Sequence, residues 1–191
     1  MATNPSVTPA EYLQFERAQT DVKHEYLNGR ITAMAGSSRE HTLIVWNVLA
    51  SLHTQMRGRD CEAYGNDMRV KIPATGFYTY PDIAALCGEA IFEDDQFDTL
   101  LNPNVIIEVL SPSTEAYDRG AKFAHYRSIE RLQAYVLISQ ERCHIELFER
   151  HPEGWLLTET SGRQGCIRLS ALDCVLELSD VYERLLNELA C

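Results

Sequence analysis

The chain has 191 residues, of which 45% are hydrophobic and 24% charged, and its 28 acidic and 17 basic side chains give a formal charge of −11. This composition is that of a globular protein with a sizeable core and excludes a disordered or fibrous chain. So negative a charge argues against a protein that coats nucleic acid through a uniformly basic surface, and any nucleic-acid contact is therefore expected to be local.

Neither the N-terminus nor the cysteines indicate export. The first nine residues lack the basic and then apolar pattern of a signal peptide, and no run approaches the ~18 apolar residues needed to span a membrane. The six cysteines form no CxxC pair and no zinc-ribbon spacing, which predicts reduced, partly buried thiols. We therefore expect one domain over residues 1–191, located in the cytoplasm.

The first two predicted elements are a short helix and a hairpin. Thr8-Pro9-Ala10-Glu11 is a capping-box pattern with proline at the first helical position, and it predicts a helix from Pro9 to Ala18. Asn28-Gly29 readily takes the positive φ angles of a tight turn and predicts a hairpin between Glu25–Leu27 and Arg30–Met34.

A longer helix is predicted next. Gly36, Ser37 and Ser38 break the pattern before it, and apolar residues near helical spacing extend from about Arg39 to Met56. The apolar residues that define this helix are Leu43, Val45, Trp46, Leu49, Leu52 and Met56.

The middle of the chain is predicted to be rich in strands. Cys61–Ile72 is β-favouring, Tyr78–Leu86 forms a second strand, and Val105–Leu110 forms a third. The acidic and polar segment Gly88–Asn104 is expected to run over the surface.

The second half adds a helix, a strand, a hairpin and a closing helix. Glu115–Glu130 is predicted to be helical and Ala134–Ser139 extended. A terminal hairpin is expected around His151–Gly154, between Cys143–Glu149 and Trp155–Thr160, with a closing helix, Asp180–Ala190, capped by Ser179. Helix, three strands, helix and strand in this order predict an α/β protein in which helices pack on a mixed sheet.

One carboxylate interrupts an apolar strand. Glu108 shares a strand face with Ile106 and Leu110, while the intervening residues face the other way, and both faces are expected to be buried. Burying an ionised carboxylate without a partner costs several kcal/mol. Glu108 is therefore either a functional carboxylate or one end of a salt bridge to an arginine.

Asp82 is a second candidate carboxylate. On its own, an aspartate after a proline is commonly a turn or cap residue. If its strand pairs with the strand of Glu108, however, the two carboxylates meet at one end of the sheet, where like charges need a divalent cation or a shared proton.

Lys122 allows two interpretations. It could form an i,i+4 pair with Asp118 on a solvated face. Alternatively, Lys122 heads a stripe with Tyr126 and Ile129 that faces the sheet and brings the amine to the carboxylates.

Several stretches together carry a resemblance to a known family. They are Tyr80-Pro81-Asp82, Ile107 through Thr114, Asp118 through Lys122 with Tyr126, Glu25 through Ile31, and Gly36 through His41. In these motifs the chain resembles, over nearly its whole length, the Uma-type endonucleases, a bacterial restriction-endonuclease-like group of the PD-(D/E)XK nuclease superfamily. The superfamily core, helix, three strands, helix, strand, agrees with the predicted order of elements.

The resemblance implies hydrolysis of phosphodiester bonds in DNA with Mg²⁺, or Mn²⁺ in its place. Asp82, Glu108 and the backbone carbonyl of Val109 would be the metal ligands, and oxygen ligands suit a hard cation. Lys122 would assist the attacking water, because the superfamily lysine usually stands two residues after the glutamate, where this chain has Leu110. A homodimer is also implied, since cutting two strands calls for two sites.

Two further residues are candidates to line the site. Glu25 could supply another carboxylate, and His41, near a helix start, could contact a phosphate or transfer a proton. Their alternatives are an exposed strand glutamate and a helix-capping histidine. Two basic groups could follow a phosphate backbone or simply be solvated: Arg57, Arg59, Arg69 and Lys71, and Arg119, Arg127 and Arg131.

The −11 charge and Leu110 leave a competing function open. It is a catalytically silent protein of nuclease fold that binds nucleic acid or a protein partner. Zinc hydrolysis is improbable, because the histidines show neither HExxH nor Cys/His spacing. A paired-carboxylate glycosidase would need a sugar cleft that the aromatic residues do not indicate.

Overall fold

A computed structural model of the chain describes residues 6–186, 189 and 191. Helix α1, Pro9–Arg17, begins with the predicted capping box: the Thr8 hydroxyl accepts from the Glu11 amide, and the Glu11 carboxylate accepts from the Thr8 amide. Proline at the first helical position costs no hydrogen bond there, which is why the helix starts at this residue.

The predicted hairpin is present. Strands β1, His24–Leu27, and β2, Arg30–Ala33, pair antiparallel. The turn residues Asn28 and Gly29 have φ angles of 50° and 80°, which this two-residue turn requires.

Helix α2 spans Arg39–Met56 as predicted, and the Ser38 hydroxyl caps it by accepting from the His41 amide. Its buried face differs from the apolar set read from the sequence. The buried residues are His41, Ile44, Val48, Leu52 and Met56, whereas Trp46 is 70% exposed. Packing against the sheet selects this stripe, which recurs every three or four residues.

The next strands divide between two sheets. They are β3, Cys61–Gly65, β4, Arg69–Ile72, β5, Phe77–Thr79, and β6, Ile83–Cys87. The single strand predicted over Tyr78–Leu86 was wrong, because β5 and β6 lie in different sheets. The chain crosses between the sheets at Tyr80-Pro81-Asp82, where proline has no amide to donate to a strand ladder.

The acidic segment Gly88–Asn104 is not entirely a surface excursion. It contains β7, Thr99–Leu100, which pairs in parallel with β4, and Leu100 is fully buried. The five-stranded sheet therefore has the order β2-β1-β5-β4-β7.

The larger sheet has six strands in the order β11-β10-β9-β8-β6-β3. The strands not yet defined are β8, Val105–Leu110, β9, Ala134–Ser139, β10, His144–His151, and β11, Gly154–Ser161. Strand β8 pairs antiparallel with β6 and parallel with β9. All six residues of β8 are buried, and its alternate residues pack into two different core clusters, as predicted.

The helical segment after β8 is irregular. It consists of α3, Glu115–Tyr117, a π-helical turn, Asp118–Lys122, and α4, Phe123–Tyr126. The prediction of a helix to Glu130 was therefore four residues too long. Single π-helical turns are rare and frequently occur at functional sites.

The C-terminal part contains a hairpin that the sequence did not predict. Strands β12, Cys166–Leu169, and β13, Cys174–Glu177, pair antiparallel, so the hairpin of β10 and β11 is not terminal. Helix α5 is Leu178–Val181 and follows Glu177, so the predicted Ser179 cap was wrong. Residues 187, 188 and 190 of the predicted closing helix lie outside the described residues.

Four cysteines are paired. Disulfides join Cys61 to Cys87 and Cys143 to Cys191, so the prediction of six reduced thiols was wrong. Strand register explains the first pair, because Cys61 lies opposite Cys87 between β3 and β6. The cytoplasmic location rested on reduced thiols and stays a prediction. Among the described residues, no helix is long and apolar enough to cross a membrane.

Candidate active site

A cleft of about 1120 Å³ opens between the β1–β2 hairpin, the start of α2 and the helical segment after β8. Its lining includes every side chain that the sequence singled out as a site candidate: Glu25, His41, Asp82, Glu108 and Lys122. Residues from five separate parts of the chain therefore meet in one cleft.

Asp82 and Glu108 are brought together by strand pairing. Asp82 lies immediately before β6, and the register that pairs Ile83 with Ile107 sets it beside Glu108 on β8. The Asp82 amide donates to Glu108 Oε2 over 3.4 Å. The predicted meeting of two carboxylates at one end of the sheet is confirmed.

One oxygen of Asp82 is held by the protein. The Val109 amide donates to Asp82 Oδ2 over 2.7 Å, and His41 Nε2 lies 3.0 Å from the same oxygen. His41 reaches Asp82 from the first turn of α2. Within the described part of the chain both contacts fall on Oδ2, which leaves Oδ1 available to a ligand.

Glu108 is held in the same way. The Tyr126 hydroxyl donates to Glu108 Oε1 over 2.8 Å, and Lys122 Nζ lies 2.9 Å from that oxygen. Only 3% of Glu108 is exposed. Burial raises the pKa of Glu108 above its usual value, with Lys122 opposing the rise and the nearby carboxylates of Asp82 and Asp118 adding to it.

Lys122 points into the site. Its Nζ lies 2.9 Å from Glu108, 3.5 Å from Asp118 and 3.8 Å from Glu25. Burial lowers the pKa of Lys122, but these three carboxylates outweigh it, so the pKa is raised and the ammonium stays charged. The alternative of a solvated pair is wrong, because Asp118 and Lys122 are only 3% and 4% exposed.

Glu25 is anchored beside the lysine. The Thr79 hydroxyl donates to Glu25 Oε1 over 2.5 Å, and the Tyr117 hydroxyl donates to Oε2 over 3.0 Å. The β1–β2 hairpin thus adds a third carboxylate to the cleft, and Glu25 is not an exposed strand residue.

Sequence reasoning missed Asp118 as a member of the site. Burial raises the pKa of Asp118, with Lys122 opposing the rise. It also missed the Tyr126 hydroxyl, since Tyr126 was counted only as part of an apolar stripe. Their spacing was the available signal: residues 118, 122 and 126 lie four apart and face the same side of a helix.

Several basic residues considered for phosphate contacts are engaged within the protein. Arg69 is 2% exposed and contacts Asp98, and Lys71 pairs with Glu93. Arg119 is bound by Glu115 and Glu146. These side chains stabilise the fold and are not arranged as a track for phosphates.

The cleft suits a hard divalent cation. Four carboxylates, from Glu25, Asp82, Glu108 and Asp118, meet around one lysine ammonium. An excess of buried negative charge is what a divalent cation offsets, and the donors are all oxygens. Among the described residues, the less engaged oxygens are Asp82 Oδ1 and Glu108 Oε2, and the second of these has only a 3.4 Å contact with the Asp82 amide. Strand pairing sets the two residues side by side. The residues present therefore fit Mg²⁺.

Comparisons with known proteins agree with this fold. The Uma2 family model, described as "Putative restriction endonuclease", matches residues 9–179. Two proteins of Synechocystis sp., both described as uncharacterized, are similar to this chain. The first, slr1290, is 40% identical over 154 residues, which cover 80% of each chain. The second, sll1609, is 36% identical over 171 residues, which cover 89% of this chain and 96% of the relative. A crystal structure from Anabaena variabilis, described as a putative nuclease belonging to DUF820, shares the fold with a TM-score of 0.77 at 17% identity, covering 94% of this chain and 99% of the other.

Proposed function

This chain belongs to the Uma2 family, and on that premise we propose that it is a Mg²⁺-dependent endonuclease that hydrolyses phosphodiester bonds of DNA. The observation that carries the proposal is the convergence of Asp82, Glu108 and Lys122 in one cleft. Asp82 Oδ2 and Glu108 Oε1 each have two protein partners within 3.0 Å. Asp82 Oδ1 and Glu108 Oε2, the second with only a 3.4 Å contact to the Asp82 amide, are the oxygens that would face a cation, and a buried ammonium stands beside them.

Asp82, Glu108 and the backbone carbonyl of Val109 are the residues that would hold Mg²⁺, with Mn²⁺ as a substitute. When bound, Mg²⁺ supplies positive charge at the scissile phosphate and activates a water. His41 orients Asp82 through the contact at Oδ2, and Tyr126 orients Glu108 through Oε1. Such outer contacts fix the direction in which a ligand oxygen points.

Lys122 assists the attacking water and offsets the charge that develops on the phosphate. Glu25 and Asp118, at 3.8 and 3.5 Å from its Nζ, keep the amine protonated and directed into the cleft. Lys122 thereby takes the place of the lysine expected at position 110. Leu110 is 5% exposed and belongs to the apolar core.

A cleavage assay with metal titration tests the proposal. Purified protein is incubated with single-stranded, duplex and branched DNA in Mg²⁺ or Mn²⁺. Wild type is expected to cleave at least one substrate, and Asp82→Ala and Lys122→Ala are expected to abolish cleavage. Asp95→Ala, at an exposed acidic residue, is the matched control and should leave cleavage unchanged. Cleavage that survives both site substitutions would contradict the assignment.

A binding module of nuclease fold is the competing proposal, and Leu110 and the net charge of −11 favour it. Calorimetry separates the two. Binding of Mg²⁺ that is lost in Glu108→Gln supports the enzyme. Absence of any binding that depends on Glu108 supports a protein that holds a nucleic acid or a protein partner without cleaving it.

A further inference from the structure

The cleft has an apolar wall beside its carboxylates. Val22, Leu27 and Met34, from the β1–β2 hairpin and the segments flanking it, line the cleft together with the ring of Tyr117. Val22 is 46% exposed and Tyr117 38% exposed. Apolar and aromatic side chains pack on the face of a nucleic-acid base, whereas an intact duplex presents mainly phosphate and sugar at its exterior.

Few basic side chains are placed to follow a duplex backbone. Among the described residues, Lys23, Arg30 and Lys122 are the lysines and arginines that line the cleft. Lys23 is paired with Asp67, and Lys122 lies against Glu108. Proteins that grip duplex DNA neutralise many phosphates. This cleft is suited to a strand that is held at one or two phosphates.

Tyr117 is fixed in the wall next to the candidate metal ligands. It ends α3, one residue before the π-helical turn that carries Asp118 and Lys122. Its hydroxyl donates to Glu25 Oε2 over 3.0 Å, so the ring is oriented while more than a third of the residue stays exposed. A ring held in this way is a stacking platform of low conformational entropy.

The size of the cleft also limits what it takes. Its volume of about 1120 Å³ is slightly above the roughly 300–1,000 Å³ of a pocket that encloses one small ligand. That space takes a few nucleotides of a single strand rather than a length of duplex.

We infer that the cleft takes unpaired DNA, with one base stacked on the ring of Tyr117 and a neighbouring phosphate at the cation that Asp82 and Glu108 would hold. The inference rests on the proposed nuclease function and deepens it by naming the substrate class. It makes Tyr117 a residue that determines specificity, and it predicts that single strands, flaps or locally melted segments are preferred over intact duplex.

Equilibrium binding tests this directly. Fluorescence anisotropy is measured with a short labelled DNA strand, alone or annealed to its complement, with Ca²⁺ in place of Mg²⁺ to limit hydrolysis. The single strand is expected to bind at least about tenfold more tightly. Its affinity should fall only shallowly with salt, with a log–log slope of about −0.7 for each phosphate neutralised.

Substitutions at Tyr117 separate stacking from its hydrogen bond to Glu25. Tyr117→Ala should weaken single-strand binding by about 5- to 150-fold, the equivalent of roughly 1–3 kcal/mol for one stacked base. Tyr117→Phe keeps the ring and should retain most of the affinity. Trp46→Ala, which removes an aromatic residue that is 70% exposed on α2, is the matched control and should bind as wild type does.

Equal binding of duplex and single strand would overturn the inference, as would a Tyr117→Ala variant of unchanged affinity or a protein that binds neither DNA. These outcomes differ from a failure of the proposed function. That failure would appear as an absence of Mg²⁺-dependent cleavage on every DNA substrate, whether or not single strands are preferred in binding.

Discussion

At the scale of single residues, the site depends on which oxygen of each carboxylate contacts the protein and which is left for a ligand. Asp82 and Glu108 each have one oxygen held by two donors from different elements. The donors differ in kind: a histidine and a backbone amide hold Asp82, and a phenol and an ammonium hold Glu108. The three side-chain contacts can therefore be removed one at a time by substitution.

Tyr126→Phe removes the hydroxyl that holds Glu108 Oε1. Oε1 of Glu108 then keeps only Lys122 of these two partners. The affinity for Mn²⁺ is expected to fall by about 10- to 100-fold, the usual effect of losing an outer contact to a ligand. Isothermal titration calorimetry measures the change. Tyr64→Phe is the matched control, because its hydroxyl binds Glu62 outside the site. Unchanged affinity in Tyr126→Phe would show that Glu108 needs no such support.

The sequence predicted part of this site. Burial cost identified Glu108, and strand pairing and helical spacing made Asp82 and Lys122 candidates before the resemblance gave these residues their roles. Glu25 and His41 were second candidates, and all five residues line the cleft. Asp118 was missed because an aspartate four residues before a lysine is ordinarily a surface pair. Asp118 is nonetheless 3% exposed, and the Tyr135 hydroxyl from β9 donates to its backbone carbonyl over 3.0 Å. Sequence spacing does not encode that contact.

At the scale of elements, the π-helical turn connects the site to the sheet. Arg119 lies in this turn between Asp118 and Lys122 and binds Glu146 on β10 as well as Glu115 one turn earlier. The ion pair between Arg119 and Glu146 therefore anchors the π-helical turn to the sheet, close to Asp118 and Lys122.

Glu146→Gln breaks the main contact of Arg119. Since Glu146 is 8% exposed, the free energy of unfolding is expected to fall by about 1–3 kcal/mol, between the values for exposed and buried pairs. Cleavage should slow through kcat, because Lys122 is held less firmly, while metal affinity stays nearly unchanged. Chemical denaturation and steady-state kinetics measure the two effects. Glu159→Gln, at a glutamate whose side chain is 65% exposed, should change neither quantity.

The helices and strands were predicted best where a long or continuous apolar pattern defined them. The bounds of α2, β8 and β9 match because their apolar patterns are long or continuous. The division of Tyr78–Leu86 into β5 and β6 was missed, although Pro81 marks the break. The hairpin of β12 and β13 has strands of only four residues, too short to give a clear period.

At the scale of the whole molecule, ion pairs tie helix α1 to the acidic segment beside β7. Arg17 Nε lies 2.7 Å from Asp98, and an Arg69 nitrogen lies 2.9 Å from it. The Arg17 contact, aided by Arg69, holds the pKa of Asp98 well below its usual range.

This pairing predicts a pH dependence. Because the folded pKa of Asp98 is depressed, its contribution to stability is fully present above the unfolded value of about 3.9 and is lost as the pH falls below it. Thermal denaturation of wild type and Arg17→Ala between pH 6 and pH 3 measures it. The difference in stability between wild type and Arg17→Ala should shrink as the pH falls. A difference that grows toward pH 3 would contradict the expected effect of a depressed Asp98 pKa.

The homodimer implied by the resemblance stays a prediction. Strand β11 is the outer strand of the six-stranded sheet, and its Leu156 and Leu157 are 50% and 47% exposed. We expect sedimentation equilibrium to show a dimer that Leu156→Lys weakens. A monomer at working concentration would contradict this, without affecting the chemistry of the cleft.

Disulfide pairing shows what composition cannot predict at this scale. Cys61 and Cys87 are 26 residues apart and meet only because β3 and β6 pair in one particular register. Register depends on the whole sheet, so spacing in the sequence gave no signal.

We propose that Lys122, from the helical segment, serves the metal site in place of a lysine at position 110. The rate of Mg²⁺-dependent DNA cleavage by Lys122→Met tests it most directly. We predict a fall of about 10²- to 10³-fold, the usual effect of removing one stabilising donor, with metal binding retained. Cleavage at the wild-type rate in Lys122→Met would show that Lys122 takes no part in the reaction.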